Sequence, residues 1–204
     1  MRIKNAIGVI FSILIISLII FAIYWHSKEP VAVVVQAGHE GRIDGNTGAV
    51  YGKLQEVKWN IIVANEVAKQ LKQWDIKVKR VPADTKLIKA KIAVAIHFDG
   101  AIRRCSSGAS IGYQNENSKD FAKQWKKIYS HYFPFAWQKD NFTKNLANYY
   151  GYSYIRANKF LVLELGEITC RKQTKWLKPR LKKVGQLIAY TIARELGYAP
   201  RKPF

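Results

Sequence analysis

The chain has 204 residues, of which 49% are apolar, and its formal charge is +20. That length and apolar content exclude a disordered polyelectrolyte and allow one domain with a substantial core plus an appendage. Two cysteines, with neither CxxC nor zinc-ribbon spacing, exclude a cysteine-built metal knuckle.

Residues 6–25, "AIGVIFSILIISLIIFAIYW", carry no charge over twenty positions, about the length at which an apolar helix spans a bilayer. The run ends in Tyr24 and Trp25, which suit a membrane interface, rather than in the small residues of a signal-peptide cleavage site. A single transmembrane anchor is therefore expected, with residues 1–30 as tip, span and linker and residues 31–204 as the folded body. Arg2 and Lys4 precede the span and Lys28 follows it, so the positive-inside rule leaves the N-terminus in the cytoplasm and the body on the periplasmic or extracellular side of the cytoplasmic membrane.

Setting aside Arg2, Lys4, Lys28 and Glu29 leaves 31 basic and 13 acidic residues, or +18, on the body. Such a surface attracts polyanions, and outside the membrane these are anionic lipids, lipopolysaccharide or cell-wall carboxylates; a plain solvated basic surface is the alternative. Nucleic acid is not expected, for the chain has no recognisable nucleic-acid-binding motif. In an oxidising compartment Cys105 and Cys170 are expected to form a disulfide, although a spectator thiol pair is also compatible with the sequence.

"VAVVVQAG" (31–38) is a β-branched apolar run, as expected for a strand buried on both faces. After a loop rich in glycine and asparagine, "QEVKWNIIVANEVAKQLKQW" has the period of an amphipathic helix, with Glu56 in its first turn. "IKVKRV" alternates like a strand, "KIAVAIHF" is a second buried strand with His97 near its end, and "ASIGYQ" is a short third. "SKDFAKQWKKIYSHYF" predicts a helix capped by Ser118, and "NFTKNLANYYG" a helical piece ended by Gly151. "KFLVLELG" is again a buried strand and contains Glu164. The closing segment predicts one long helix with Leu177, Leu181, Val184, Ile188, Ile192 and Leu196 along one face. Buried strands alternating with helices predict an α/β fold with a mainly parallel or mixed central sheet, helices on both faces, and ligands at the carboxyl ends of the strands.

His39, His97 and Glu164 each lie at or near such a strand end, and the helix start returns Glu56 to the same rim. His39, Glu56 and His97 form an N,N,O set that suits Zn2+, with a fourth position for water. Glu164, a carboxylate inside "FLVLELG", needs a partner or a function, and it is the candidate base that takes the water proton and later delivers one to the departing amine. Individually, a histidine after a strand is more often structural, and Glu56 could simply complement a helix dipole.

The motifs "VVVQAGHEGR", "QEVKWNIIVANEVAKQLKQWDIKV", "VAIHFDGA" and "LVLELGEIT" together resemble the zinc-dependent N-acetylmuramoyl-L-alanine amidases of the amidase-3 type, over residues 31 to about 196. The resemblance implies that His39, Glu56 and His97 bind zinc, that Glu164 is catalytic, and that the substrate is the amide between N-acetylmuramic acid and L-alanine in peptidoglycan. Three positions depart from the family pattern: Glu40 replaces a usual glycine, Asp99 a common asparagine, and "ELGEIT" the usual glycine-phenylalanine ending. Glu40, Asp99 and the side chains of "ELGEIT" are expected to border the cleft, with Asp99 a candidate substrate contact and Arg42 expected to assist an anionic substrate unless it is an ordinary surface arginine. Gly38 is expected to permit a tight turn before His39. His131, in the aromatic stretch "YSHYFPFAW", is not expected to be a ligand; that stretch reads equally as a lid, a sugar-stacking wall or loop packing. The rival functions are a zinc peptidase acting on another amide and a wall-binding module without catalysis. Nothing in the sequence fixes an oligomeric state.

Overall fold

The computed structural model of the chain describes residues 13–18, 21, 30–42 and 46–203. The chain divides after Pro30 into two units. Residues 13–18 are helical, and among the described residues no helix is long and apolar enough to cross a membrane. The expected anchor over residues 6–25 lies largely outside them.

In the second unit the branched apolar runs become strands. In chain order the elements are β1 (Val31–Ala37), β2 (Val50–Tyr51), β3 (Leu54–Gln55), α1 (Glu56–Gln73), β4 (Val78–Val81), β5 (Ile88–Asp99), β6 (Ala109–Gly112), α2 (Lys119–Ser130), α3 (Lys144–Ala147), α4 (Gly151–Tyr154), β7 (Ile155–Glu167), α5 (Arg171–Leu177) and α6 (Leu181–Glu195). The five-stranded sheet has the order β4-β1-β5-β7-β6. Its pairs are parallel except that β6 runs antiparallel to β7. The short strands β2 and β3 form a separate antiparallel hairpin.

Side chains alternate between the two faces of a strand, and here each face finds a different cover. Val33, Val35, Ile92, Val94, Leu161 and Leu163 point into the larger core, which the apolar stripes of α1, α2 and α6 complete. Val34, Ala93, Ala95, Phe160 and Val162 point the other way, against Leu146 and Tyr149. Helices thus lie on both faces, but the long ones share one side, and on the other the cover includes only the one-turn helices α3 and α4. The thinner face holds the functional groups.

Three local expectations are corrected. The C-terminal helix is broken: α5 ends at Leu177, a 3₁₀ turn spans Lys178–Arg180, and α6 begins at Leu181. Pro179 accounts for the break, since it lacks an N–H and its ring clashes with the carbonyl four residues earlier. Ser118 takes the N-cap position of α2, but its side chain makes no capping hydrogen bond there. It sits in a 3₁₀ turn whose cap is Asn115, and its hydroxyl donates to Asn115 Oδ1 and accepts from Phe160 N. Gly151 does not end a helix but opens α4, and Thr143 caps α3 by accepting from Leu146 N.

The aromatic stretch belongs to the core. Tyr129 stacks between Trp125 and Phe133, which in turn meets Phe135 and Trp176 edge-on. Tyr129 and Phe133 are buried, and the Tyr129 hydroxyl donates to Leu165 O at 2.8 Å. Loop packing is the reading that holds. His131 is exposed, bonded to Lys127 O, and takes no part in the site described below.

Candidate metal centre and cleft

The period of two that sorts the core also places Gln36, His97 and Glu164 on the thinner face. His97 on β5 is the in-register neighbour of Glu164 on β7, so the two side chains project together from adjacent strands about 4.8 Å apart. Beyond them the register shifts, and Asp99 pairs with Glu167. Gly166, at φ 142, takes up the irregularity, in a conformation that only glycine adopts readily.

His39 follows β1 by two residues and itself adopts φ 62. The role expected for Gly38 changes accordingly. The left-handed turn residue is His39, and Gly38 is needed for a close approach, since a Cβ there would lie 2.1 Å from His97 Cε1. Glu56, the first residue of α1, reaches back to both histidines. Its Oε1 lies 2.9 Å from His97 Nδ1 and 3.4 Å from His39 Nε2, and accepts from Asn60 Nδ2 at 3.1 Å. Its Oε2 accepts from Ala49 N at 2.8 Å.

One ligand atom from each of His39, Glu56 and His97 falls within a group no wider than 4.8 Å. His39 Nδ1 lies 3.1 Å from the Asn46 carbonyl, which can only accept, so Nδ1 carries the hydrogen in the neutral ring and the Nε2 lone pair faces Glu56. Burial pushes the His39 imidazole below its ordinary pKa, against the pull of Glu56, which favours that neutral form. Burial also pushes the Glu56 carboxyl up, but in the acid range where it titrates the charged imidazolium of His97, by hydrogen bond and charge, the charge of His39 and the Ala49 N–H outweigh it and bring it down to about 2. Two imidazoles and one ionised carboxylate thus converge from three elements, and that donor set fits zinc.

His39 and His97 open into a cleft of about 460 Å³, lined also by Arg42, Asp99, Glu164 and residues between Thr143 and Tyr150. Glu164 is half-buried, and its Oε2 has neither solvent nor a hydrogen-bond partner. Burial first, and then the charges of Glu56 and Asp99, push its carboxyl well above the usual range. A half-buried acid with a raised pKa beside a candidate metal site is what proton transfer near neutral pH needs.

Both expected substrate contacts line the cleft, and both have partners. Asp99 accepts from Ser107 Oγ and, at 2.8 Å, from Gly100 N. Arg42 lies over the Tyr150 ring, 4.5 Å from its centroid, and pairs with Asp84 at 3.0 Å. Glu40, expected to border the cleft, does not line it, because its carboxylate is drawn away to pair with Arg80 of β4. Glu167 turns into the protein, fully buried, and accepts from Cys105 N at 2.7 Å, Ser107 N at 2.8 Å and Thr169 Oγ1 at 2.6 Å. Glu167 therefore anchors a loop. The same loop is cross-linked, since Cys105 and Cys170 form a disulfide with Cα atoms 4.6 Å apart.

Sequence reasoning missed the far wall of the cleft. Tyr149, buried at its centre, places its hydroxyl 3.1 Å from His97 Nε2 and 2.9 Å from Gln36 Oε1. The one available signal was Gln36, a lone polar residue in the run "VAVVVQAG", for which a partner had to exist.

Residues 33–194 match the Amidase_3 family, N-acetylmuramoyl-L-alanine amidase. A search of curated proteins finds no match. Among solved structures, the chain is similar to the catalytic domain of CwlV, an N-acetylmuramoyl-L-alanine amidase from Bacillus (Paenibacillus) polymyxa var. colistinus, at 22% identity and TM-score 0.65, covering 83% of this chain and 99% of that one. It is similar to the N-acetylmuramoyl-L-alanine amidase AmiC2 of Nostoc punctiforme, at 17% identity and TM-score 0.64, with 82% and 97% covered. A putative N-acetylmuramoyl-L-alanine amidase from Neisseria meningitidis matches at 18% identity and TM-score 0.64, again with 82% and 97% covered. At these identities the likeness is one of fold.

Proposed function

The chain belongs to the N-acetylmuramoyl-L-alanine amidase family, and from that premise we propose that it cleaves the amide between N-acetylmuramic acid and L-alanine in peptidoglycan as a zinc enzyme, with His39, Glu56 and His97 as ligands and Glu164 as base. The observation that carries the zinc reading is the convergence of His39 Nε2 and His97 Nδ1 on Glu56 Oε1, at 3.4 and 2.9 Å. When bound, zinc supplies a Lewis acid that acidifies water and polarises the scissile carbonyl.

The chain's own residues do the rest. Glu164 accepts the proton of the attacking water and hands it to the amide nitrogen as the C–N bond breaks, so that L-alanine leaves as a neutral amine. The buried surroundings of its carboxyl keep the acid form accessible for that second transfer. Asp99 and Arg42 border the substrate, Asp99 held by Ser107 and Arg42 by Asp84 and Tyr150. The basic body, +18 over residues 31–204, draws the enzyme to the anionic wall. The uncharged residues 6–25 support a single-pass anchor in the cytoplasmic membrane, with the catalytic body on its outer side.

The test is incubation of the protein with purified peptidoglycan and mass analysis of the products. Stem peptides with a free L-alanine amino terminus are expected, to be lost on chelation and restored by zinc. Fragments cut within the stem peptide would establish a peptidase instead, and activity unchanged after chelation would end the zinc reading.

A further inference from the structure

We propose that Tyr149 and Gln36 form a positioning relay that holds His97 as its Nε2–H tautomer and so reserves the Nδ1 lone pair for the metal. This rests on the zinc reading above and goes beyond it, because neither residue is itself a ligand.

The relay is anchored in the backbone. Gln36 Nε2 lies 2.6 Å from Ala83 O and 3.4 Å from Pro82 O. Both are carbonyls and can only accept, so the amide nitrogen must face them and Oε1 must face inward. Gln36 is fully buried, and the Tyr149 hydroxyl lies 2.9 Å from its Oε1. A buried carbonyl oxygen needs a donor, and the Tyr149 hydroxyl supplies it. The Tyr150 hydroxyl lies farther from Tyr149, at 3.3 Å, and commits its own hydrogen to Ala83 O at 2.8 Å.

A phenol has one hydrogen. With that hydrogen on Gln36, Tyr149 meets His97 Nε2, 3.1 Å away, only as an acceptor, and Nε2 must be the donor. A neutral imidazole also has one hydrogen, so Nδ1 is left as a lone pair 2.9 Å from Glu56 Oε1. The reverse assignment would strand the buried oxygen of Gln36 and point an N–H at the position required of a metal ligand. Partners of this kind orient ligating histidines in metal sites generally. Here the partner is a tyrosine whose own direction is dictated by a glutamine 113 residues away in the chain.

The experiment compares wild type, Tyr149→Phe and Gln36→Leu for zinc affinity, by competition with a chromophoric chelator, and reads the His97 tautomer by long-range 1H–15N NMR. Tyr149→Phe removes only the hydroxyl and is expected to weaken zinc binding about 10- to 100-fold. Gln36→Leu, one step farther from the metal, is expected to weaken it less and in the same direction. Wild type is expected to show hydrogen on Nε2 of His97 with zinc bound, and in metal-free protein at alkaline pH, where the ring is neutral. Tyr149→Phe is expected to show a tautomer mixture when metal-free. Equal zinc affinity in wild type and Tyr149→Phe, or hydrogen on Nδ1 of wild-type His97, overturns the relay. Failure of wild type to bind zinc overturns the reading on which it rests, and the metal-free tautomer then still decides the hydrogen-bond assignment. Should Tyr149→Phe not fold, Gln36→Leu and the wild-type spectrum carry the same decision.

Discussion

Gly38→Ala adds one methyl group at the most crowded point of the site. The new Cβ would lie 2.1, 2.3 and 2.6 Å from His97 Cε1, Nε2 and Nδ1, whereas ordinary contact begins near 3.4 Å. One side must therefore give by about 1.3 Å. The backbone is held at both peptide groups, because Gly38 N donates to Ile96 O at 3.0 Å and Gly38 O accepts from Asn60 Nδ2 at 3.0 Å. The His97 ring has to move instead, away from the position that aims Nδ1 at Glu56. An overpacked core site costs about 1 to 3 kcal/mol, and a displacement of about 1 Å in a catalytic group costs about a hundredfold in rate. The expected outcome is a folded variant with a modestly lowered melting temperature, less than stoichiometric zinc by elemental analysis, and at least about a hundredfold slower stem-peptide release. Full zinc occupancy with near-normal turnover would refute the claim that His97 is held in place by the missing side chain at position 38.

Glu164→Gln keeps size and hydrogen bonding but cannot take a proton, so turnover should fall at least about a hundredfold with zinc retained; near-normal turnover would remove Glu164 from the mechanism. The same variant tests the raised pKa in metal-free protein. A carboxyl whose folded pKa is raised contributes stability below its unfolded value and loses it as pH rises through the folded value. Glu164→Gln should therefore stabilise the metal-free protein at neutral pH and lose that advantage as pH falls towards about 4.5, the ordinary glutamate range; denaturation curves with no pH-dependent difference would contradict this. Cys105→Ser opens a cross-link spanning 65 residues and should cost about 4 kcal/mol in the chain-entropy picture, with zinc retained, as calorimetry and metal analysis can show. Glu167→Gln weakens charge-assisted bonds to Cys105 N, Ser107 N and Thr169 Oγ1; it should lower stability by about 2 kcal/mol while leaving the metal in place, and loss of zinc from this variant would show that the 105–107 loop supports the ligands.

The strands were legible because burial on both faces demands apolar runs, and "VAVVVQAG", "KIAVAIHF" and "KFLVLELG" have no other economical use. Their parity then placed His97 and Glu164 together as soon as the strands paired in parallel. The break at Pro179 was harder to see, because Leu177 and Leu181 keep a four-residue spacing across it and the apolar stripe runs on through the 3₁₀ turn. Ser118 misled for a similar reason: Asn115 caps a 3₁₀ turn first and leaves the serine free to bind β7. No local pattern could separate a lid from a packed loop in "YSHYFPFAW", since aromatic density suits both and only the path of the chain decides. Tyr149 was beyond reach, as its partners Gln36 and His97 lie 113 and 52 residues away and neither periodicity nor composition marks such a pairing.

The site divides its labour between two kinds of structure. His97 and Glu164 stand on neighbouring strands of a buried sheet, where a backbone ladder sets their separation. The far wall, Thr143 to Tyr150, is built from one-turn helices and loop. Asn145 and Asn148 there can change with little consequence for the sheet, so the family chemistry can be kept while the shape presented to the wall polymer drifts. Tyr149 is different. It lines the cleft and also touches the face of the sheet that carries His97, so evolution of substrate preference at that position is coupled to the reactive centre. Asn145 and Asn148 are free to explore, and Tyr149 is not.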